Sequence, residues 1–285
     1  MIDERFEIAP YFDDLLALLD AGDEASRLAY GRHVHWGWWP DPALATNTPA
    51  DYGAAAERLC QLVCDAAGIQ DGMRVLDVGC GLGGTIASLN DRFRDLDLLG
   101  VNIDPRQVKR ARETVQPRAG NRIRFETGDA CDLQIPAGSF DAVLAVECIF
   151  HFESREAFFA GAAKALKPGG RLAICDFVPP ADKLPILEQH NPGTDKATLI
   201  SYGKVDLLCT VERYRSLAEA ARLEPPACRD ITAGTMPTYD FMRVFMSGWP
   251  DRAAARAHSR ATGRLEFASQ AGWLNYTILS FAQIA

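Results

Sequence analysis

The chain has 285 residues and a formal net charge of −8 at pH 7, and 48% of its residues are hydrophobic against 24% charged. This composition is typical of a soluble globular protein with a substantial core, and the negative charge argues against nucleic acid or an anionic membrane surface as a partner. The acidic start lacks a signal-peptide pattern and no run of ~18 apolar residues suggests a membrane span, so we expect a cytoplasmic protein with reduced cysteines.

The first 50 residues precede the first predicted core strand, and we predict that they form a helical lid. Helical spacing covers residues 10–19 and 25–30, and a loop-like stretch at 31–40 then holds three tryptophans and two histidines. Such aromatic side chains either anchor an N-terminal arm to the core or contact a ligand, and both interpretations stay open. An amphipathic helix at 51–68 follows.

From residue 73 onward, apolar strands alternate with helices. Strands are predicted at 73–78, 98–103, 122–126, 140–146 and 171–177, and the intervening helices at 85–93, 104–114 and 154–166. This alternation predicts βαβ units and a parallel sheet with helices on both faces. Behind the first strand, a glycine-rich stretch at 79–84 allows a tight turn next to a helix N-terminus, which favours a nucleotide-type cofactor.

Beyond residue 178 the alternation ends. Residues 179–204 contain turn formers without a clear period, so we predict an irregular excursion over the sheet edge. Helices at 211–222 and 236–270, a strand at 227–232 and a terminal strand at 274–284 complete the chain. We treat 1–285 as a single domain with a helical lid (1–50), a cofactor-binding core (51–178) and a substrate-side region (179–285).

Three motifs together identify a family. They are Leu-Asp-Val-Gly-Cys-Gly-Leu-Gly-Gly at 76–84, Gly-Asp-Ala at 128–130 after the third strand, and a turn of sequence Lys-Pro-Gly-Gly at 167–170 before the fifth strand. The glycine pattern alone would also suit a dinucleotide enzyme. In this order and spacing, over about residues 55–178, the motifs resemble the class I S-adenosylmethionine-dependent methyltransferases.

This resemblance implies an α/β, Rossmann-like fold with a seven-stranded, mostly parallel sheet and an antiparallel last strand. It also implies S-adenosyl-L-methionine as the cofactor and S-adenosyl-L-homocysteine as its product. The stretch His-Trp-Gly-Trp-Trp at 35–39 is similar to a His-Tyr-Gly-Tyr-Trp segment of small-molecule methyltransferases. That branch includes sugar O-methyltransferases of natural-product pathways, tocopherol-type C-methyltransferases and sarcosine-type N-methyltransferases.

The resemblance also implies cofactor contacts. Gly79 and Gly81 would bring backbone against the methionine part, and the family's usual ribose-binding acid is replaced here by Asn102, whose amide bonds hydroxyls without a carboxylate's charge. Asp104 is a candidate substitute. The predicted cofactor-binding residues are Asp77, Gly79, Cys80, Gly81, Asn102, Ile103, Gln107, Asp129, Ala130, Glu147 and Trp38.

Methyl transfer from a sulfonium requires mainly alignment and exclusion of water, but a hydroxyl acceptor also needs a base. His151 follows the fourth strand and Asp176 ends the fifth, at the edge where ligands bind in such sheets. Related sugar O-methyltransferases place a His and an Asp in these two segments. The alternatives are that His151 packs against the next helix and that Asp176 fixes a loop; His33 and His35 are weaker candidates for the base.

Aromatic side chains are predicted to bind the acceptor. The predicted substrate-binding residues are His35, Trp36, Trp39, Phe152, Phe241 and Phe245. For the cluster at 239–249, packing in the core or in a homodimer is the alternative interpretation. Cys60 and Cys64 lie four apart on one helix, but without a second pair at ligand spacing we expect core packing and no metal.

The sequence therefore predicts methyl transfer to a small, partly apolar acceptor, with O-methylation and His151 as base. C-methylation of an electron-rich carbon, where aromatic groups would stabilise positive charge, and N-methylation are alternatives. A cofactor-binding protein without turnover and a hydride-transfer enzyme represent other classes of function.

Overall fold

A seven-stranded sheet forms the centre of the computed structural model, which describes residues 9–190, 193–249 and 251–284. Its strands are β1 (Arg74–Val78), β2 (Asp97–Asn102), β3 (Arg122–Thr127), β4 (Phe140–Val146), β5 (Leu166–Val178), β6 (Ala227–Asp230) and β7 (Asn275–Ala282). Their order across the sheet is β3-β2-β1-β4-β5-β7-β6. The first five strands pair in parallel, and β7 runs antiparallel to both β5 and β6, so the predicted fold class is confirmed.

The helices follow the predicted order. They are α1 (Tyr11–Asp20), α2 (Glu24–Tyr30), α3 (Pro49–Ala66), α4 (Gly84–Arg92), α5 (Pro105–Thr114), α6 (Arg155–Ala165), α7 (Leu184–His190), α8 (Lys196–Ser201), α9 (Val211–Ala220), α10 (Thr232–Thr235), α11 (Pro237–Ser247) and α12 (Arg252–Gln270). Short 3₁₀ turns occupy Pro42–Leu44, Ile149–His151 and Ala181–Lys183. No helix among these described residues is long and apolar enough to cross a membrane.

Alternate residues of the central strands enter two different cores. Val75 and Leu98 pack with α3, α4 and α12 on one face, while their neighbours Leu76 and Leu99 pack with α6 and α9 on the other. This alternation follows from the two-residue period of a β-strand. Because both faces are covered, the central strands β1, β2, β4 and β5 are mostly apolar, and most of their polar side chains lie near the strand ends.

A third core joins the N-terminal helices to the C-terminal insertion. Leu15 and Leu19 of α1 and Tyr30 of α2 pack with Met242 and Met246 of α11. The predicted lid and the predicted substrate-side region therefore meet each other as well as the sheet.

Two segments differ from the sequence prediction. Residues 167–170, predicted as a turn, lie within β5, where the pairing shifts between Phe140 and Ala142 of β4, and Gly169 takes a φ of +74°. Residues 179–204, predicted as irregular, contain α7 and α8. These helices are too short to show a period, and α8 begins where the Asp195 carboxylate accepts from the Ala197 N–H at 2.8 Å.

Candidate active site

The glycine turn between β1 and α4 lies at the carboxyl edge of the sheet. The backbone N–H groups of Gly79 and Cys80 both donate to the Val101 carbonyl of β2, at 2.8 and 3.1 Å. Gly79 has a φ of +73°, and a Cβ at this position would lie 2.6 Å from Cys148 Sγ. Glycine is therefore required for the turn to pack this closely against the segment that follows β4.

A cavity of about 930 Å³ opens beside this turn; we call it the larger cavity. Its volume lies in the range of pockets that bind cofactors or small molecules. One wall is the glycine turn, where Gly79 leaves no room for a side chain, and a wall of bare backbone suits a nucleotide-type cofactor. The predicted cofactor residues that line it are Gly79, Cys80, Gly81, Asn102, Ile103, Gln107, Asp129, Ala130 and Glu147.

At the predicted ribose-binding position, the side-chain amides of Asn102 and Gln107 are hydrogen-bonded to each other. Asn102 Oδ1 accepts from the Gly81 N–H at 3.3 Å, and its Nδ2 donates to Gln107 Oε1 at 3.2 Å. Asp104 also borders the cavity, but its carboxylate caps α5 and pairs with Arg106 at 2.8 Å. Its charge is therefore already compensated, and Asn102 with Gln107 are the better placed polar groups.

Asp77 and Trp38, both predicted to bind the cofactor, do not line either cavity. Asp77 is buried beneath the glycine turn, and burial raises the pKa of its carboxyl well above the usual value. Trp38 faces the opposite way: the Arg229 guanidinium lies 5.7 Å from its ring centroid, and the Trp38 N–H donates to the Ala55 carbonyl at 2.9 Å. Cofactor contact by these two residues stays a prediction, and the contacts that the structure shows are with the surrounding protein.

A second cavity of about 60 Å³, the inner cavity, adjoins the larger one. Residues that border both are Tyr11, Val34, His35, Glu147, Phe150, His151 and Tyr202. Most of the remaining inner wall is aromatic or aliphatic, so this space suits an apolar acceptor. Of the predicted substrate residues, His35 and Trp36 line the inner cavity and Phe152 lines the larger one.

Phe241, Phe245 and Trp39 lie behind the inner wall. The Phe241 ring stacks on Tyr52 at a centroid distance of 4.1 Å, and Phe245 meets Tyr30 at 5.2 Å. Helix α11 instead turns Met242 and Met246 toward the cavity. Substrate contact by these three aromatic residues stays a prediction that the cavity lining does not favour. For Phe241 and Phe245, a stretch that is apolar on several sides does not indicate which face of α11 lines a cavity.

Sequence reasoning also missed part of the inner wall. The unpredicted lining residues include Tyr11, Tyr30, Tyr52, Tyr202 and His258. They come from α1, α2, α3, α8 and its following turn, and α12, whose meeting point is set by tertiary packing. The residues around a single tyrosine on an amphipathic helix do not indicate whether its ring lines a pocket or packs in the core.

Glu147 stands between the two cavities. It follows β4 with a φ of +52°, unusual for a residue with a side chain. Its Oε2 accepts from the Trp36 N–H at 2.8 Å and from the Tyr276 hydroxyl. Burial raises the pKa of Glu147 to about 8, so its carboxyl holds a proton in most molecules at neutral pH.

His151 ends the 3₁₀ turn after β4 and borders both cavities. Its Nδ1 lies 3.1 Å from the Lys204 carbonyl. Because a carbonyl only accepts, Nδ1 carries the proton and Nε2 presents a lone pair. The ring surface is open to the cavity, yet the walls keep it from bulk water, and this burial lowers the pKa of His151 to about 4. The ring is therefore neutral at pH 7.

Asp176 does not reach either cavity. Its carboxylate is buried and accepts from the Arg155 guanidinium at 3.0 Å, from the Tyr214 hydroxyl and from the Phe177 N–H at 2.8 Å. Arg155 in turn pairs with Asp206. The contacts with Arg155 and Tyr214 join β5 to α6 and α9, which favours the structural alternative for Asp176, and its catalytic role stays a prediction.

Comparison with known proteins places the chain in a family. A family model described as a methyltransferase domain matches residues 76–174. The methyltransferase GfsG of Streptomyces halstedii is 31% identical over 238 residues, which cover 81% of this chain and 78% of GfsG. The 27-O-demethylrifamycin SV methyltransferase of Amycolatopsis mediterranei (strain S699) is 27% identical over 96% of each chain.

The chain belongs to the class I S-adenosylmethionine-dependent methyltransferases. It is an enzyme of this family, and its cofactor is S-adenosyl-L-methionine. Among solved structures, the crystal structure of the [4+2]-cyclase SpnF has a TM-score of 0.72 and 23% identity, covering 97% of this chain and 96% of that one. This likeness shows the shared fold.

Substitution of Gly79 by alanine should weaken cofactor binding. The added Cβ would meet Cys148 Sγ at 2.6 Å, so the turn must shift, and we expect the Kd for S-adenosyl-L-homocysteine to rise roughly 100-fold, the cost typical of an ångström-scale displacement. Isothermal titration calorimetry measures this. Gly138→Ala is the matched control, since Gly138 also has a positive φ but open space around it; equal affinities in both variants would contradict the assignment.

Asp176→Asn should lower the free energy of unfolding markedly while kcat of the folded protein decreases by much less than ~100-fold. Removing one charge from a buried pair costs about 3 kcal/mol in the free energy of unfolding, whereas loss of a general base costs at least ~100-fold in rate. Urea unfolding and kcat on the folded protein separate the two effects. Asp206→Asn is the control, because it pairs with the same Arg155 but is half exposed. Undiminished stability together with a ~100-fold loss of kcat would restore Asp176 as a catalytic group.

Glu147→Gln should change the pH dependence of stability. The folded pKa of about 8 lies above the ordinary value of 4.5, so the folded state holds one more proton between these values, and its stability falls as pH rises through that window. We expect the free energy of unfolding of the wild type, relative to Glu147→Gln, to fall by up to about 1.4 kcal/mol per pH unit there. Denaturant titrations from pH 5 to 8 measure the difference; parallel curves would exclude a raised pKa.

Proposed function

We propose that this protein methylates a hydroxyl group of a small, partly apolar metabolite, with His151 as the general base. The observation that carries this proposal is the position of the imidazole. It borders both cavities, its Nδ1 is bonded to the Lys204 carbonyl, and its Nε2 lone pair has no hydrogen-bond partner among the described residues. A hydroxyl gains most from such a base, because its oxygen is a poor nucleophile while it keeps its proton.

The larger cavity would hold the cofactor. S-adenosyl-L-methionine, when bound, supplies an activated methyl group. Gly79 and Gly81 would place backbone against its methionine part, Ala130 and the half-exposed Ile103 would pack against adenine, and the amide of Asn102 would meet the ribose hydroxyls. These contacts orient the donor, and orientation is the main contribution a protein makes to such a transfer.

The inner cavity, of about 60 Å³, would hold an apolar part of the acceptor, and the rest of the acceptor would lie in the larger cavity that His151 also borders. The wall of the inner cavity combines aromatic rings such as Trp36 and Tyr202 with the side chains of Met242 and Met246. This lining favours a compound with apolar surface, and it excludes water from the reacting oxygen. The Amycolatopsis relative, whose name specifies a 27-O-demethyl substrate, supports an oxygen as the methylated atom. The helices at residues 11–30 and 237–270 would act as the lid and the substrate-side wall.

One atom of this chain would accept the proton of the acceptor hydroxyl. His151 Nε2 accepts the proton that the acceptor oxygen loses, and the Lys204 carbonyl, bonded to Nδ1, stabilises the charge that the ring then carries. Because the pKa of His151 is lowered to about 4 by burial, the base form is fully populated at neutral pH. Glu147, protonated and held by Trp36 and Tyr276, keeps the wall between the cavities neutral.

C-methylation of an electron-rich carbon is the second candidate. The rings of Trp36, Phe177 and Tyr276 lie with centroids 4.8 to 5.7 Å apart, and such faces stabilise a developing positive charge. This reaction forms a cation at the acceptor, so the aromatic wall would contribute more than the base.

The first experiment is incubation of metabolite extracts with methyl-labelled cofactor, followed by NMR of the labelled product. A methoxy signal supports the proposal, a methyl group on carbon supports the second candidate, and cofactor binding without a product from any extract supports a binding protein without turnover.

His151→Gln should reduce kcat with the identified acceptor by about 100- to 10,000-fold, the range of a general base, while the Kd for S-adenosyl-L-homocysteine stays within roughly threefold because no cofactor contact is assigned to His151 and glutamine keeps a polar side chain at this position. Assays of product formed at fixed times give kcat, and isothermal titration calorimetry gives the Kd. His190→Gln is the control, a histidine of α7 outside both cavities. A decrease of less than ~10-fold in kcat would show that His151 is not the base.

A further inference from the structure

Two histidines and a cysteine converge beside the larger cavity. His33 and His35 come from the loop before α3, and Cys60 comes from α3 itself. One donor atom of each lies within 4.8 Å of the others, and the three residues are 3%, 7% and 0% exposed. The sequence placed Cys60 beside Cys64 but gave no reason to join it to histidines 25 and 27 positions earlier.

The outer nitrogen of His33 is fixed by a carboxylate. His33 Nε2 lies 2.8 Å from Glu57 Oε2. An ionised carboxylate only accepts, so Nε2 carries the proton and Nδ1 presents a lone pair. That Nδ1 is buried without a hydrogen-bond partner among the described residues. Buried nitrogens without a partner are rare, because the lost hydration costs free energy.

His35 shows the same pattern with the nitrogens exchanged. Its Nδ1 lies 2.9 Å from the Trp36 carbonyl, so Nδ1 donates. Its Nε2 is buried against the Cys60 thiol and has no other partner in the described chain. The ring centroids of His33 and His35 are 4.8 Å apart. The unpartnered nitrogens of both histidines therefore belong to one buried cluster with the Cys60 thiol.

Cys60 differs from its neighbour Cys64. The hydrogen bond with Cys64 lowers the pKa of the Cys60 thiol. The hydrogen bond to Cys60 and burial raise the pKa of Cys64 well above its usual value. Cys60 is therefore the member of the pair that gives up its proton more readily. Zn²⁺ would displace that proton on binding, since the thiolate is the form of cysteine that ligates metal ions.

We propose that His33 Nδ1, His35 Nε2 and Cys60 Sγ form a binding site for Zn²⁺. Two imidazoles and a thiolate are the ligands that zinc prefers, whereas magnesium and calcium require oxygen. A metal-bound imidazole usually donates its other N–H to a carboxylate or a carbonyl, as both rings do here to Glu57 and Trp36. The Cys60 thiolate and the Glu57 carboxylate would together compensate the two positive charges of the ion.

The site would tie the loop before α3 to α3, next to the glycine turn. A Cβ on Gly84 would lie 2.5 Å from His33 Nδ1, so the cluster touches the start of α4, and His33 and His35 both border the larger cavity. Zinc would thus hold one wall of that cavity, and its role there is positional. The site does not depend on which atom of the acceptor is methylated.

The test is titration of the purified, chelator-treated full-length chain with Co²⁺ and then Zn²⁺. We expect one equivalent of Co²⁺ to give the near-ultraviolet charge-transfer absorption of a thiolate–cobalt bond, and Zn²⁺ to displace it. Cys60→Ser should remove this absorption. Cys228→Ser, which removes the exposed thiol, should retain it. Glu57→Gln should keep the site but weaken Zn²⁺ binding by about 10- to 100-fold, the usual effect of losing such a partner.

Circular dichroism and S-adenosyl-L-homocysteine binding report whether each variant is folded. If the folded wild type shows no thiolate–cobalt absorption, the proposal is overturned without reference to any variant. The role of the cluster would then be a hydrogen bond between Cys60 and His35. Absorption that survives Cys60→Ser but disappears in Cys228→Ser would equally overturn the proposal, since the metal would then be on the surface.

Discussion

One carboxylate oxygen, Glu147 Oε2, joins three parts of the chain that are far apart in sequence. It sits at the end of β4 and accepts from the Trp36 N–H of the N-terminal loop and from the Tyr276 hydroxyl of β7. The left-handed backbone of Glu147 has a cost of about 1 to 3 kcal/mol, which these buried contacts offset. The loop, the last strand and the centre of the sheet are thereby joined at the boundary between the larger cavity and the inner cavity.

The fold alone does not decide the reaction. A chain with the same architecture is described as a [4+2]-cyclase, while the similar sequences are methyltransferases. Both kinds of protein can use one parallel core because the core supplies a cradle, and the chemistry depends on the segments that cover it. In this chain those segments are the loop at 31–40, the turn that carries His151, and the helices after β5.

The loop at 31–40 has two uses, which follow from the alternate directions of its side chains. Trp36 faces the inner cavity, whereas His33 meets α3 and Trp38 meets Arg229. Anchoring therefore describes Trp38, whereas Trp36 is the position for which ligand contact stays a prediction. Neighbouring aromatic residues in such a stretch can therefore have different roles, and each position has to be assigned separately.

The sequence by itself determined the parallel core, the glycine turn and the polar residues at the strand ends, because these depend on local periodicity and on backbone conformations that only glycine adopts easily. Tertiary structure alone decided that Asp176 binds Arg155 and Tyr214, that Met242 rather than Phe241 faces the cavity, and that His33, His35 and Cys60 meet. Each of these outcomes depends on which distant segments pack together, and no pattern within a short stretch of sequence carries that information.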